Sequence, residues 1–273
     1  MKPAPFDYLR ATTTQHALDA LAQSGDDARV LAGGQSLMVV LNMRLAQPRV
    51  LVDISRTSEL DAVRVDNEGG HLIVSASATQ GSVEWRRTLA DEVPMLALAF
   101  PHISHFQIRN RGTVCGSIAH ADPSAELPLV LSALSGDVML RSKKKRRTLA
   151  AHDFFQGMLM TAREPDELVE AVRFPLRKAG ERYAFAEFSA RHGDFAIVAC
   201  AAVVTDDSIR IAVGGVADRP VTERWPHLTG DDLRGALNDL SWKLNAPDDA
   251  HISAKYRRHL VRQLGWRVIE EAK

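Results

Sequence analysis

The sequence contains very little cysteine. Cys115 and Cys200 are the two cysteines among 273 residues. Two thiols are too few for a disulfide framework, for a zinc site made of cysteines or for an iron–sulfur cluster. Any metal cluster that works together with this chain must therefore lie on another chain.

The sequence also lacks an excess of charge of either sign. It carries 34 Lys and Arg residues and 34 Asp and Glu residues, so its formal net charge at pH 7 is zero. Without a global positive field, neither nucleic acid nor an anionic membrane is an expected partner. No apolar run approaches the ~20 residues of a membrane span, and residues 1–10 lack the apolar core of a signal peptide. We expect a cytoplasmic chain with no membrane span.

What the sequence does contain is a mixture of helical and strand patterns, with 45% hydrophobic residues, enough for two or three small cores. Thr12 and Gln15 have the spacing of a capping box before a helix that Gly25 ends. Turn residues at 67–70 separate two short apolar segments, which is typical of an antiparallel hairpin. A polar connector after Pro175 precedes two strand patterns and two helical ones. These patterns predict an α+β protein divided at 1–56, 57–176 and 177–273.

The first glycine-rich string, Leu31-Ala32-Gly33-Gly34-Gln35-Ser36-Leu37, lies between a predicted strand and a predicted helix. Paired glycines let the backbone approach a phosphate, and free N–H groups there can bind an anion. Gln35 and Ser36 could add side-chain hydrogen bonds. The alternative is a turn in which glycine serves geometry alone. The string matches neither Gly-x-Gly-x-x-Gly nor a P-loop, which disfavours a Rossmann dehydrogenase and a P-loop NTPase.

A second string, residues 108–128, is crowded with small and hydroxyl residues and predicts one loop. Thr113 and Ser117 can donate hydrogen bonds to a pyrophosphate, and Glu126 can accept them from sugar hydroxyls or a ring N–H. His120 either contacts the same ligand or has a structural role. Two separate loops of this kind suit a long ligand with a diphosphate at its middle.

Together the two strings resemble a known family. Ala-Gly-Gly-Gln-Ser at 32–36 and Arg-Asn-Arg-Gly-Thr-x-x-Gly-Ser-x-Ala-His-Ala-Asp-Pro at 109–123 are similar to motifs of the FAD-binding medium subunit of molybdenum hydroxylases. This family includes the flavoprotein subunits of carbon monoxide dehydrogenase, of nicotine- and quinoline-type dehydrogenases and of xanthine dehydrogenase. Residues 211–216 and 256–260 resemble its C-terminal domain, so the resemblance covers essentially the whole chain.

The resemblance implies a PCMH-type FAD-binding fold of two α+β subdomains with the flavin between them, plus a C-terminal α/β domain with an antiparallel sheet and helices. It implies one non-covalent FAD in this chain. On partner chains it implies [2Fe-2S] clusters, in a small iron–sulfur subunit, and molybdopterin, in a large subunit. The cofactor-binding residues that it implies are Leu31, Ala32, Gly33, Gly34, Gln35, Ser36, Leu37, Ile108, Thr113, Cys115, Gly116, Ser117, His120, Asp122, Glu126, Val169, Arg191 and Phe195.

Three residues depart from the family's pattern. Cys115 stands where the family usually has a glycine, so its backbone is strained if the position needs a positive φ. We expect Cys115 to be a small wall residue and not a covalent link to the flavin. Phe195 replaces a frequent tyrosine near the flavin ring and keeps its flat apolar contact, although a hairpin turn with Phe195 in the core is the alternative. Glu187 stands where relatives often carry a basic side chain.

His102 and His105 are spaced so that they can face together on a helix. A metal site needs more than these two imidazoles, and no third ligand lies beside them. The sequence therefore favours a structural role for both histidines.

The resulting hypothesis is an electron-transfer subunit with no acid–base residue of its own. FAD takes electrons from the iron–sulfur subunit and passes them to an external acceptor, which is NAD⁺, a quinone, a cytochrome or O₂. The substrate, an N-heterocycle, a purine or CO, is hydroxylated at the molybdenum cofactor of the large subunit. Two alternatives stay open: a stand-alone PCMH-type flavin oxidoreductase with its own substrate pocket, and a flavin-free interaction protein on the same scaffold.

Overall fold

The computed structural model describes residues 2–273. The strands are β1 (Asp7–Arg10), β2 (Ala28–Leu31), β3 (Val50–Asp53), β4 (Val63–Asp66), β5 (His71–Ser75), β6 (Asp137–Arg141), β7 (Arg146–Ala150), β8 (Phe155–Gly157), β9 (Met160–Thr161), β10 (Leu168–Pro175), β11 (Arg182–Ser189), β12 (Ala196–Val204), β13 (Ser208–Gly214) and β14 (Val221–Pro226). The helices are α1 (Thr14–Ser24), α2 (Leu37–Asn42), α3 (Gln80–Glu84), α4 (Leu89–Glu92), α5 (Pro94–Ala99), α6 (Phe106–Arg109), α7 (Val114–His120), α8 (Glu126–Ala133), α9 (Ala151–Phe154), α10 (Gly230–Lys243) and α11 (Ala254–Glu271).

The first three strands form a parallel sheet in the order β1-β3-β2. Helix α1 connects β1 to β2 and buries Leu18 and Leu21 in the core of this subdomain. Its capping residue is Thr13, whose hydroxyl accepts a hydrogen bond from a helix amide, so the prediction of Thr12 was wrong by one residue. Gly25, at φ 49°, ends the helix as predicted. The first glycine string follows the carboxyl end of β2.

The second sheet is antiparallel and has the order β4-β5-β10-β6-β7. The hairpin predicted around residues 67–70 is confirmed, since β4 pairs with β5 across that turn. Helix α7 packs against β5 and β10 of this sheet, and α8 packs on α7. The core that they share buries large side chains such as Phe100, Phe154 and Phe174. Each buried side chain of this size contributes roughly 1.5–3 kcal/mol to folding.

The third sheet is antiparallel in the order β11-β12-β13-β14. One face carries α10 and α11, whose apolar side chains form a separate core with the sheet. The other face packs on α8 of the preceding subdomain, where Arg210 donates a hydrogen bond to the Ala133 carbonyl at 3.0 Å. The predicted strands β12 and β13 are confirmed, and β11 and β14 are additional.

Parallel and antiparallel sheets with helices at their faces confirm the α+β prediction. The division at residues 56 and 176 stays a prediction, although the sheets follow one another in the chain in that order. Between residues 2 and 273, no helix is both long and apolar enough to cross a membrane.

Candidate functional site

The two glycine strings are in direct contact, and Gly33 lies at the point of contact. A Cβ added to Gly33 would lie 2.2 Å from the Arg111 carbonyl oxygen and 2.7 Å from the Gly112 Cα. Only a hydrogen fits in that space. Gly34, at φ 74°, then turns the chain into α2, in a conformation that other residues rarely adopt. The two strings therefore meet in the fold.

Several backbone N–H groups at this contact have no acceptor. Within residues 2–273, the amides of residues 33–36 donate no hydrogen bond, and the same holds for the amides of Thr113 and Cys115. The Gln35 side chain bends back, donating to the Gly33 carbonyl at 3.0 Å and lying against Gly112. Free amides from two chain segments, beside glycines that expose the backbone, form a cradle for an anion.

The second string forms two helices, so the prediction of a single loop was wrong. Thr113 is the capping residue of α7, and its hydroxyl oxygen accepts a hydrogen bond from the Gly116 amide at 3.0 Å. Small and hydroxyl residues suit this helix start because they cap it without filling the space in front of it. The backbone before α7 is held by the Gln80 amide, which donates to the Gly112 carbonyl at 2.7 Å.

Cys115 has no backbone strain, because it lies in the first turn of α7 and its φ is not positive. Its thiol points into the core and donates to the Val74 carbonyl at 3.3 Å. Burial raises the pKa of this thiol far above its usual range. The side chain is thus a small buried wall residue as predicted, with a protonated thiol that is not placed for covalent attachment.

The other predicted residues of the second string differ in how much surface they expose. Ile108 is exposed on α6, whereas Ser117, His120 and Asp122 are partly buried. Asp122 accepts a hydrogen bond from the Ser124 amide at 2.8 Å, which shapes the turn after α7. Glu126, the first residue of α8, is buried.

Val169 is buried and is not exposed beside the glycine strings. It lies in β10, pairs with Leu140 and is buried in the main core, as Cys115 is. A role for Cys115, Glu126 or Val169 at a bound molecule stays a prediction. Because their side chains are buried, such a role depends on their backbone atoms or on the shape that they give to the wall of the site.

Arg191 and Phe195 lie in the connection between β11 and β12, and both side chains are exposed. The alternative that places Phe195 in the core is wrong, since its side chain is 60% exposed. Gly193, at φ 86°, packs in this connection against the backbone of Ser104, 3.1 Å from the position of an added Cβ. The flat ring of Phe195 is therefore free to cover a planar ligand.

Two polar groupings near the site were not assigned by the sequence. Arg109 is buried and holds both Glu84 carboxylate oxygens, at 2.7 and 2.8 Å, together with the Ile103 carbonyl at 2.7 Å. His102 Nδ1 lies 3.4 Å from Glu187 Oε1, and the structural role favoured for this histidine stays a prediction. Among residues 2–273, no group of three or more potential metal ligands occurs.

Protein-family models match nearly the entire chain. Residues 4–177 match the FAD binding domain in molybdopterin dehydrogenase, and residues 183–272 match the CO dehydrogenase flavoprotein C-terminal domain. Both glycine strings and the contact between them lie within the first match.

Individual proteins of known type are similar over their whole length. The nicotine 6-hydroxylase medium subunit of Paenarthrobacter nicotinovorans is 37% identical, with 100% of this chain and 99% of that protein covered. A chain of carbon monoxide dehydrogenase from Hydrogenophaga pseudoflava superposes with a TM-score of 0.92 at 30% identity, covering 100% of this chain and 98% of the other. A chain of quinoline 2-oxidoreductase from Pseudomonas putida 86 does so with a TM-score of 0.92 at 32% identity and the same coverage.

Proposed function

Because this chain belongs to the family of FAD-binding medium subunits of molybdenum hydroxylases, we propose that it carries electrons between a partner's iron–sulfur clusters and an external acceptor. The chain is an oxidoreductase component with FAD as its cofactor and a PCMH-type FAD-binding fold. When bound, FAD would transfer electrons between partners that exchange one electron and partners that exchange two.

The observation that carries this proposal is the contact between the two glycine strings, with its unpaired amides. A diphosphate needs several N–H donors on a backbone that it can approach closely, and residues 33–36 with Thr113 and Cys115 offer that combination. The space requirement at Gly33 fits the same role, because a side chain there would separate the strings.

Other residues would orient the two ends of the dinucleotide. Gln35, Ser36 and Ser117 carry the polar side chains beside the cradle, and Phe195 offers an exposed aromatic face for the flavin ring. Since FAD performs the electron transfer, this chain needs to bind and orient the cofactor and needs no acid–base residue at a substrate.

The reaction that this electron transfer serves is the hydroxylation of a small substrate at a molybdenum cofactor on a large partner subunit. We propose an N-heterocycle, a purine or CO as that substrate. The similarity to a nicotine hydroxylase subunit and to quinoline 2-oxidoreductase supports the N-heterocycle, and the similarity to carbon monoxide dehydrogenase supports CO. The small partner would carry [2Fe-2S] clusters, which this chain cannot ligate with two buried cysteines.

The test measures FAD binding by Gly33→Val and Gly116→Val. A Cβ at Gly33 meets the Arg111 carbonyl at 2.2 Å, and one at Gly116 meets the Thr113 hydroxyl at 2.6 Å. Crowding of about 1–3 kcal/mol predicts FAD binding that is weaker by roughly 5-fold to 150-fold, measured by flavin absorbance of the purified chain and by calorimetric titration.

Gly235→Val is the matched control, because no atom lies within 4 Å of a Cβ added to this exposed helical glycine. The control should keep the wild-type flavin content. Full flavin content in Gly33→Val would contradict the cradle. A wild-type chain that takes up no FAD after refolding would favour the flavin-free alternative, and substrate turnover by the isolated chain would favour the stand-alone oxidoreductase.

A further inference from the structure

At the seam between the second subdomain and the C-terminal sheet, His102 lies against Glu187, and Glu126 lies close enough for the charges of both to act on it. We name His102, Glu126 and Glu187 the seam cluster. His102 follows α5, Glu126 begins α8 and Glu187 lies in β11. The Glu187 side chain is 3% exposed and Glu126 is 5% exposed, so two carboxyl groups are removed from water in this one region.

The seam cluster contains a carboxyl oxygen without a hydrogen-bond donor. Glu187 Oε1 lies 3.4 Å from His102 Nδ1, but Glu187 Oε2 is fully buried and has no partner among the described residues. An unpaired buried carboxylate oxygen is costly, and a second carboxylate nearby adds repulsion. A proton held within the cluster reduces both costs, as in other coupled pairs of carboxyl groups.

Electrostatics in the seam cluster agree with this geometry. Burial raises the pKa of Glu126 to about 7, and repulsion from Glu187 acts in the same direction. The hydrogen bond with Glu187 raises the pKa of His102. Glu126 therefore exchanges a proton near neutral pH, where a change of charge nearby has the largest effect on it.

The charged groups around the seam cluster come from every neighbouring element. Asp122, in the turn after α7, adds to the repulsion on Glu126. The ring of His192 lies 6.4 Å from the ring of His102. Arg109 is paired with Glu84 through both carboxylate oxygens, so its charge is already matched.

The seam cluster is joined to both parts of the proposed FAD site. Strand β11 leads from Glu187 into the connection that carries Arg191 and Phe195, and Gly193 of that connection packs on Ser104, two residues after His102. Glu126 follows α7, whose first turn forms one side of the cradle. The seam cluster is therefore connected through these elements to the glycine strings and to the connection that carries Phe195.

We propose that the seam cluster takes up one proton from solvent when the FAD bound to this chain is reduced. This inference rests on the proposed function. The flavin gains two electrons and one proton, a net change of one negative charge, and the Glu126 carboxylate becomes a carboxylic acid, a change of one positive charge. Both protons come from solvent, and the electrons come from dithionite in the experiment below. In this proposal the seam cluster compensates charge and carries no electrons itself.

The experiment uses the full-length chain loaded with FAD at pH 8. Dithionite reduces the flavin, an infrared difference spectrum records carboxylic acid C=O bands, and an indicator dye in weak buffer records proton uptake. The wild type should gain a carboxylic acid band that Glu126→Gln lacks. The variant should also take up fewer protons per FAD, by up to about one.

Two further variants make the result specific. Glu187→Gln removes the repulsion on Glu126, so the carboxylic acid band should appear only at lower pH. Glu68→Gln removes an exposed carboxylate in the β4–β5 turn and should behave as wild type. Identical spectra and equal proton uptake in wild type and Glu126→Gln, both with bound FAD, would overturn this inference alone. A chain that binds no FAD would overturn the proposed function and this inference together.

Discussion

Glu126 lies near the end of the second string, residues 108–128, and is almost completely buried. This residue begins α8, and its carboxyl group lies in the protein interior, where the charges of Glu187 and His102 act on it. A buried carboxyl group favours its neutral form, so folding and proton binding are linked at this residue. The stability of the whole chain should therefore depend on pH through this one side chain.

Replacing Glu126 by glutamine should make the chain relatively more stable as the pH rises. The pKa of Glu126 is raised from 4.5 to about 7 in the folded chain, so the unfolded chain releases this proton first. Between those pH values the wild type loses about 3 kcal/mol that Glu126→Gln retains. His102 acts in the same direction, since its raised pKa gives stability that is lost as the pH rises through the folded value.

Urea unfolding at pH 5 and pH 8 measures this difference. The free energy of unfolding of Glu126→Gln should fall less between the two pH values than that of the wild type. Glu68→Gln, at an exposed position, should follow the wild type. Parallel behaviour of Glu126→Gln and wild type would show that Glu126 is ionised at both pH values.

The sequence predicts the conformation of some single residues and not that of others. The pair Gly33-Gly34 was predictable, because a close backbone approach and a positive φ both demand glycine. The conformation of Cys115 was not, because a motif does not reveal that the position lies in a helix with an ordinary φ. Whether a polar side chain such as Glu126 is buried depends on elements distant in sequence, which no local pattern describes.

At the scale of elements, the connection before α7 is fixed by a short helix with one buried arginine. Arg109 ends α6 and joins it to α3 through Glu84, while its other nitrogen donates to the Ile103 carbonyl. A planar guanidinium can donate to the Glu84 carboxylate and to the Ile103 carbonyl at the same time. The position of Gly112 against Gly33 therefore depends on a side chain outside the glycine strings.

Replacing Arg109 by lysine should weaken both folding and FAD binding. A single ammonium group cannot serve both Glu84 oxygens and the carbonyl, so a buried partner loses its hydrogen bond. We expect a loss of roughly 1–3 kcal/mol in the free energy of unfolding, measured with urea, and a lower affinity in an FAD titration. Arg56→Lys, at an exposed position, is the control and should change neither. Unchanged FAD affinity in Arg109→Lys would show that the position of α6 does not affect FAD binding at the cradle.

The elements that sequence patterns failed to predict share a physical cause. Strands β11 and β14 form the two edges of the third sheet, and β14 alternates between partly buried and exposed residues. An edge strand has one pairing partner and a weak apolar pattern, so its partner decides its conformation. The inner strands β12 and β13 are almost wholly buried and were predictable from their apolar runs.

At the scale of the whole molecule, the C-terminal sheet shares its interior with the subdomain before it. Phe185, Ala199 and Ala212 of this sheet belong to the same buried cluster as Phe100 and Phe174. The apolar core therefore continues across the boundary predicted after residue 176, and that boundary stays a prediction. The α+β class was predictable from periodicity, but this continuity was not, since it depends on packing between distant segments.

Co-expression tests the assembly that we propose. The chain produced with a small iron–sulfur subunit and a large molybdenum subunit should elute from gel filtration as a complex whose visible spectrum contains flavin and iron–sulfur bands. The chain alone has a mass of 30.0 kDa, so a larger assembly is easily separated from it. Elution of this chain at its own mass, with both candidate subunits present and folded, would contradict the proposed partnership.

Strand β12 has little freedom to change over evolutionary time. Its side chains alternate between two interiors, with Val198, Cys200 and Ala202 directed towards α10 and α11 and Ala199 and Ala201 towards α8. Small side chains leave no gap on either side, so a bulkier replacement would have to displace a helix. Among homologues that act on different substrates, we expect β12 to tolerate the fewest substitutions that change side-chain volume. The distance between α8 on one side and α10 and α11 on the other should therefore stay constant.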